Sequence, residues 1–175
     1  MRHLRHATCA ISLALLGVLV TGAQARGPQS AEPTVGCDRI VLRDNAGAAD
    51  GFRILLESVS MPGWRHLARD TSVVESRSWR YYRNAGLAIR AGTSAVSVSV
   101  PEVWRDRVAL SWGGSRPSST VRFAACPGSA AGVWNSFSGG FHLRARADCV
   151  PLLVTVGGMS TTVRVGIGRA CGAPH

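Results

Sequence analysis

The chain has 175 residues, 46% of them hydrophobic, and a formal net charge of +10 at pH 7. That length is about one domain and is long enough to bury a core. Lysine is absent from the sequence, which excludes Schiff-base chemistry and a Ser-Lys dyad, and the arginine excess favours anionic partners in a salt-dependent way.

In chain order, the first 25 residues have the form of a secretory signal peptide. Arg2 and Arg5 precede an apolar run from Ala10 to Val20, and "AQA" (23–25) is a small-x-small cleavage site. Cleavage is expected after Ala25. The run is too short to span a membrane, which takes about 20 residues, so the mature chain is expected outside the cell or at its envelope, without a transmembrane segment. Cys9 precedes the run and so does not fit a lipid anchor. Positive charge survives loss of this leader, which carries only Arg2 and Arg5. Residues 26–36, "RGPQSAEPTVG", read as a flexible lead-in, and 37–173 as the folded domain.

Short apolar stretches separated by turn residues fill that domain. Strands are expected at 39–43 and 52–59. Residues 61–78 look loop-like, with one short helix starting at the capping box Ser72–Glu75. "LAIRAGTSAVSVSV" (87–100) reads as a hairpin turning at Gly92-Thr93-Ser94, its second arm alternating strictly through Val96, Val98 and Val100. Further strands are expected at "VALSW" (108–112), "VRFAA" (121–125) and "FHLRAR" (141–146). "VPLLVTV" (150–156) and "TTVRVGI" (161–167) flank Gly157-Gly158, a two-residue hairpin signal. Eight or nine short strands with Gly, Pro and Ser turns predict an all-β fold. The expected architecture is a two-sheet antiparallel sandwich of immunoglobulin-like kind, with a jelly roll or small barrel as the alternative. Arg90, Arg122, Arg144, Arg146 and Arg164 take the outward phase of their strands and would form an arginine field if those strands share a sheet.

Four cysteines follow the leader: Cys37, Cys126, Cys149 and Cys171. An even number in an exported chain reads as two disulfides, and three pairings are open. The expected pairing is Cys126–Cys149 with Cys37–Cys171, the latter tying the domain ends. The spacings are wide and include no C-x-x-C pair, so no zinc site is expected.

Catalytic signals are sparse. His66 lies four residues before Asp70, and this couple is the one candidate for a hydrolase. No G-x-S-x-G elbow, calcium loop or phosphate loop accompanies it. His142 falls at the solvent phase of a strand and reads as solvated. No cofactor is expected.

"RSWRYYRNAG" (77–86) interleaves arginines with aromatic rings. Arg77, Trp79, Arg80, Tyr82 and Arg83 are the candidate binding residues, with Tyr81 between them and Trp64 and Trp134 in nearby loop-like sequence. Aromatic faces stack on sugars, and guanidinium forks pair with phosphate or carboxylate. The expected partner is an anionic cell-wall polymer or a glycan, without sequence-specific nucleic acid recognition. If 77–91 is one continuous strand, Trp79 and Tyr81 share the core phase with Leu87 and Ile89, while Arg80 and Tyr82 face out with Arg90. A bulge at "NAG" would instead line up Arg77, Trp79, Tyr81 and Arg83 outside.

"WRYYRNAGLAIRAG", "VSVSVPEVWRDRVALSWG", "WNSFSGGFHLR" and "CVPLLVTVGG" with "VRVGIGRAC" together resemble a group of uncharacterised exported single-domain proteins of high-GC Gram-positive bacteria. That resemblance covers most of 37–172 and implies location and extent, without an activity. "ADCVPLLVTVGG" is similar to the cysteine-proline segment of the subtilisin-inhibitor family, which implies protease inhibition as a third reading after polymer binding and hydrolysis.

Overall fold

The computed structural model describes residues 32–45, 47, 51–68, 73–74, 79–128 and 132–172. The strands in chain order are β1 (Thr34–Val35), β2 (Leu42–Asp44), β3 (Phe52–Leu55), β4 (Val59–Pro62), β5 (Val73–Val74), β6 (Tyr81–Asn84) and β7 (Leu87–Arg90). They continue as β8 (Val96–Ser99), β9 (Val108–Trp112), β10 (Thr120–Phe123), β11 (Trp134–Phe137), β12 (Gly139–Leu143), β13 (Asp148–Val156) and β14 (Met159–Ile167). A single helical turn, α1 (Trp64–Leu67), stands between β4 and β5.

These strands form three sheets ordered β1-β10-β8-β13-β14, β2-β11-β7-β4-β3 and β5-β6-β12-β9, none closed into a barrel. The third sheet continues the second around a corner. Asn84 opposes Gly140 and Leu87 opposes Phe137, so β6 and β7 keep one register against β12 and β11 across the break. The Ala85 N–H still donates to the Gly139 carbonyl at 2.7 Å. This bent ribbon and the first sheet make the all-β sandwich expected from the alternation.

Trp112 holds the corner. Its indole Nε1 donates to the Ala85 carbonyl at 2.8 Å, satisfying an acceptor that the strand break leaves over. The Gly113 N–H donates to the Ser138 carbonyl at 2.8 Å on the other side. Trp112 then packs edge-on to Phe141 at 5.7 Å between centroids and lies 6.1 Å from Phe123, which lies 5.0 Å from Phe137. All four rings are buried, and the apolar residues of all three sheets form one core around them. Burial of each such side chain stabilises the fold by about 1.5–3 kcal/mol.

Several expected elements are rearranged. Residues 52–59 hold a hairpin rather than one strand: the turn between β3 and β4 puts Leu56 (φ 46°) and Glu57 (φ 56°) in the left-handed region. No glycine or asparagine marks that turn, so the apolar run hides it. Residues 87–100 do not pair as a hairpin. β7 bonds to β11 and β4, while β8 bonds to β10 and β13, so this connection crosses from one sheet to another. The helical turn forms at Trp64–Leu67, whereas Val73–Val74 is a strand paired with β6; Ser72 and Glu75 lie outside the described residues. Strand β12 ends at Leu143, so Arg144 and Arg146 sit beyond it. The hairpin of β13 and β14 around Gly157 (φ 55°) and Gly158 (φ 90°) forms as expected.

The disulfides are Cys37–Cys126 and Cys149–Cys171, correcting the expected Cys37–Cys171 and Cys126–Cys149. Two placements cause this. β1 lies inside the presumed lead-in and pairs parallel with β10, Val35 opposite Phe123, which carries Cys37 to Cys126 just beyond the ladder. Cys149 opposes Gly166 in the β13–β14 ladder, and the chain folds back over Gly166 after Gly168 (φ 66°), bringing Cys171 alongside. Among the described residues no helix is long and apolar enough to cross a membrane.

Candidate functional site

The bent ribbon decides which way the "RSWRYYRNAG" side chains point. Because register holds through Ala85 and Gly86, Tyr81, Arg83, Ala85, Leu87 and Ile89 share the core phase, as expected for a continuous strand. Arg83 is therefore buried, 4% exposed, with one guanidinium nitrogen donating to the His66 carbonyl at 2.8 Å. It anchors α1 to β6 and leaves the candidate surface. Arg80 is exposed and lies 5.6 Å from the Tyr81 ring centroid. Arg77 lies outside the described residues. Trp79, expected in the core phase with Tyr81, instead precedes the first ladder pair of β6 and turns with Tyr82 to the outer face, where both are half-buried.

That outer face carries a composite site. Tyr82 directly opposes His142 across the β6–β12 ladder, with ring centroids 4.8 Å apart. The Trp79 ring lies 6.4 Å from His142, and the Arg144 guanidinium stacks 4.5 Å over Trp79. From β9, the Ser111 hydroxyl meets His142 Nε2 at 2.8 Å. Ser111 opposes Gly140, whose missing side chain leaves the diagonal open for this bond.

Burial lowers the His142 pKa from its ordinary value and raises that of Tyr82. At neutral pH the face thus presents uncharged rings beside the Arg144 guanidinium. Ser111 and His142 have nucleophile-and-base spacing. His142 Nδ1, however, is buried without a hydrogen-bond partner among the described residues, so none of their carboxylates orients the ring as a triad requires. The arrangement suits stacking and hydrogen bonding better than acyl transfer.

His142 also predicts a pH dependence. Unfolded, the imidazole titrates near 6.5; folded, it titrates lower. Above the unfolded value both states are neutral and the contribution is fully present. As pH falls, the unfolded chain takes up the proton first and stability is lost. The stability advantage of wild type over His142→Gln is expected to shrink between about pH 7.5 and about pH 5 in urea titrations. An advantage constant across that range would contradict this account.

His66 is exposed on α1, and Asp70, the other member of the expected couple, lies outside the described residues. Trp134, taken for a loop residue, lies on β11, 2% exposed, with Arg90 stacked 5.2 Å over it. The five outward arginines are dispersed: Arg90 on the second sheet, Arg122 and Arg164 on the first, Arg144 and Arg146 past β12. Arg122 is paired with Glu32 at 2.6 Å. They do not form one field. Ser111 was missed because only the β9–β12 pairing, a non-local contact, brings it to His142. Comparison with protein-family models, curated proteins and solved structures found no match to this chain.

Proposed function

We propose that this chain is an exported, disulfide-stabilised β-sandwich that binds an anionic or sugar polymer of the cell envelope. The outer face of the β5-β6-β12-β9 sheet is its binding surface. The observation that carries the reading is the Arg144–Trp79 stack beside the Tyr82–His142 pair. Rings of this kind supply apolar faces for sugars, and a guanidinium already stacked on one is oriented for a phosphate or carboxylate. The arginine excess, which survives loss of Arg2 and Arg5, favours the same partners. A hydrolytic role would need an orienting acid at His142 Nδ1. An inhibitory role would need "ADCVPLLVTVGG" as a presented loop, and most of it is β13, paired along its length with β14 and from Leu153 to Val156 with β8 as well.

Retention on immobilised glycan and polyanion resins is expected to weaken with salt. Trp79→Ala should lower affinity about fivefold, the equivalent of roughly 1 kcal/mol for one stacked ring. Arg144→Ala should flatten the salt dependence. Unchanged low-salt retention after Trp79, Tyr82 and Arg144 are all replaced by alanine would overturn the reading.

A further inference from the structure

The outer face that carries Trp79, Tyr82 and His142 does not end at the corner of the ribbon. Tyr82 opposes His142, Asn84 opposes Gly140, and beyond the strand break Ala88 opposes Ser136. These pairs hold one register, so the outward phase runs on from Tyr82 through Asn84 and Gly86 to Ala88. Past the corner this face holds a pocket of about 110 Å³. Gly86, Ala88 and Ser136 form its floor, and Phe52 and Gly47 wall it. Ser60, opposite Ala88 on β4, donates to the Gly47 carbonyl and fixes that wall.

The volume is about that of three or four waters in the liquid. It takes a two-carbon substituent and not a sugar ring. None of the described lining residues is charged, and the half-buried Ser136 supplies one hydroxyl. Gly86 lies about 13 Å along the strand from Tyr82, at about 3.3 Å per residue. A chain stacked on the aromatic cluster therefore reaches the pocket with a group carried further along it. We propose, on the polymer-binding reading above, that the anionic chain bound by this face is an N-acetylated glycan, one of whose acetyl groups enters the pocket at Gly86. Its methyl leaves water against Phe52 and Ala88, and the Ser136 hydroxyl bonds the amide. A polymer of uronate or phosphate alone would leave the pocket unused.

Calorimetric titration with an octasaccharide of alternating glucuronate and N-acetylglucosamine tests this. The control is the same octasaccharide with its acetyl groups exchanged for formyl, which keeps charge and amide and removes the methyl. The acetylated chain is expected to bind about fourfold more tightly, the effect of one buried methyl. Gly86 has room for a side chain, since a Cβ there meets only the Phe137 carbonyl oxygen at 3.8 Å. Gly86→Leu should fill the pocket and abolish the difference between the two chains. Trp79→Ala should weaken both and keep their ratio. Equal binding of the two chains, or a difference that survives Gly86→Leu, would overturn this proposal, and sensitivity to Trp79→Ala would then leave the polymer reading standing. Binding of neither chain would overturn both.

Discussion

Removing the Cys37–Cys126 disulfide is expected to cost this protein about 4–5 kcal/mol, more than removing Cys149–Cys171, at about 3–3.5 kcal/mol. The bonds span 89 and 22 residues of sequence, and in the chain-entropy account the longer loop restrains the unfolded chain more. The folded state adds a second reason. β1 is two residues long and pairs with the first sheet through Thr34 and Val35 against β10. Without the bond nothing covalent keeps that edge in place. For the Cys37→Ala, Cys126→Ala double variant, thermal unfolding should shift down by roughly 10–18 °C. Mapping of non-reduced peptides should link Cys37 to Cys126 in the wild type. A larger shift for the Cys149, Cys171 pair, or a Cys37–Cys171 peptide, would refute the assignment.

The second large effect lies at the corner of the bent ribbon. A Cβ on Gly140 would fall on the Arg83 carbonyl oxygen and stand 2.9 Å from the Ala85 N–H nitrogen, both backbone atoms of the paired strand. Neither can move without breaking the ladder. Gly140→Ala is therefore expected to cost more than about 4 kcal/mol, the range of exceptional single substitutions, and to leave little folded protein. Gly86 stands at the same corner and provides the contrast. A Cβ there meets only the Phe137 carbonyl oxygen at 3.8 Å, an ordinary contact, and its φ is not in the left-handed region. Gly86→Ala should be tolerated or stabilise by about 0.4–1 kcal/mol through the unfolded chain. Equal urea midpoints for the two variants would remove the corner from this account.

The legible part of the fold was local. Period-2 alternation marked β8, β9, β13 and β14, because each packs one face on the core and turns the other outward. Gly157-Gly158 marked a hairpin whose turn holds both glycines at positive φ. What stayed hidden depends on contacts distant in sequence. The Leu56–Glu57 turn has no chemical signature, β1 is too short to show a period, and its parallel pairing with β10 set the disulfides against expectation. The site divided in the same way. Trp79, Arg80 and Tyr82 could be nominated from their spacing. The burial of Arg83 followed from a register held across Gly86. Ser111, His142 and Arg144 joined the site only because β12 lies between β6 and β9.

The order of strands in the first sheet has a consequence for how the molecule comes together. β8 lies between β10 and β13, and β13 begins only at Asp148. Until that segment is available, Val96 and Val98 belong to a strand with one open side, and Cys37 waits for a partner 89 residues away. β3, β4 and β7 meet with far shorter loops to close. Such long-range pairings make folding slow relative to local ones. The β13–β14 hairpin therefore acts as the keystone: the sandwich completes when it slots in beside β8.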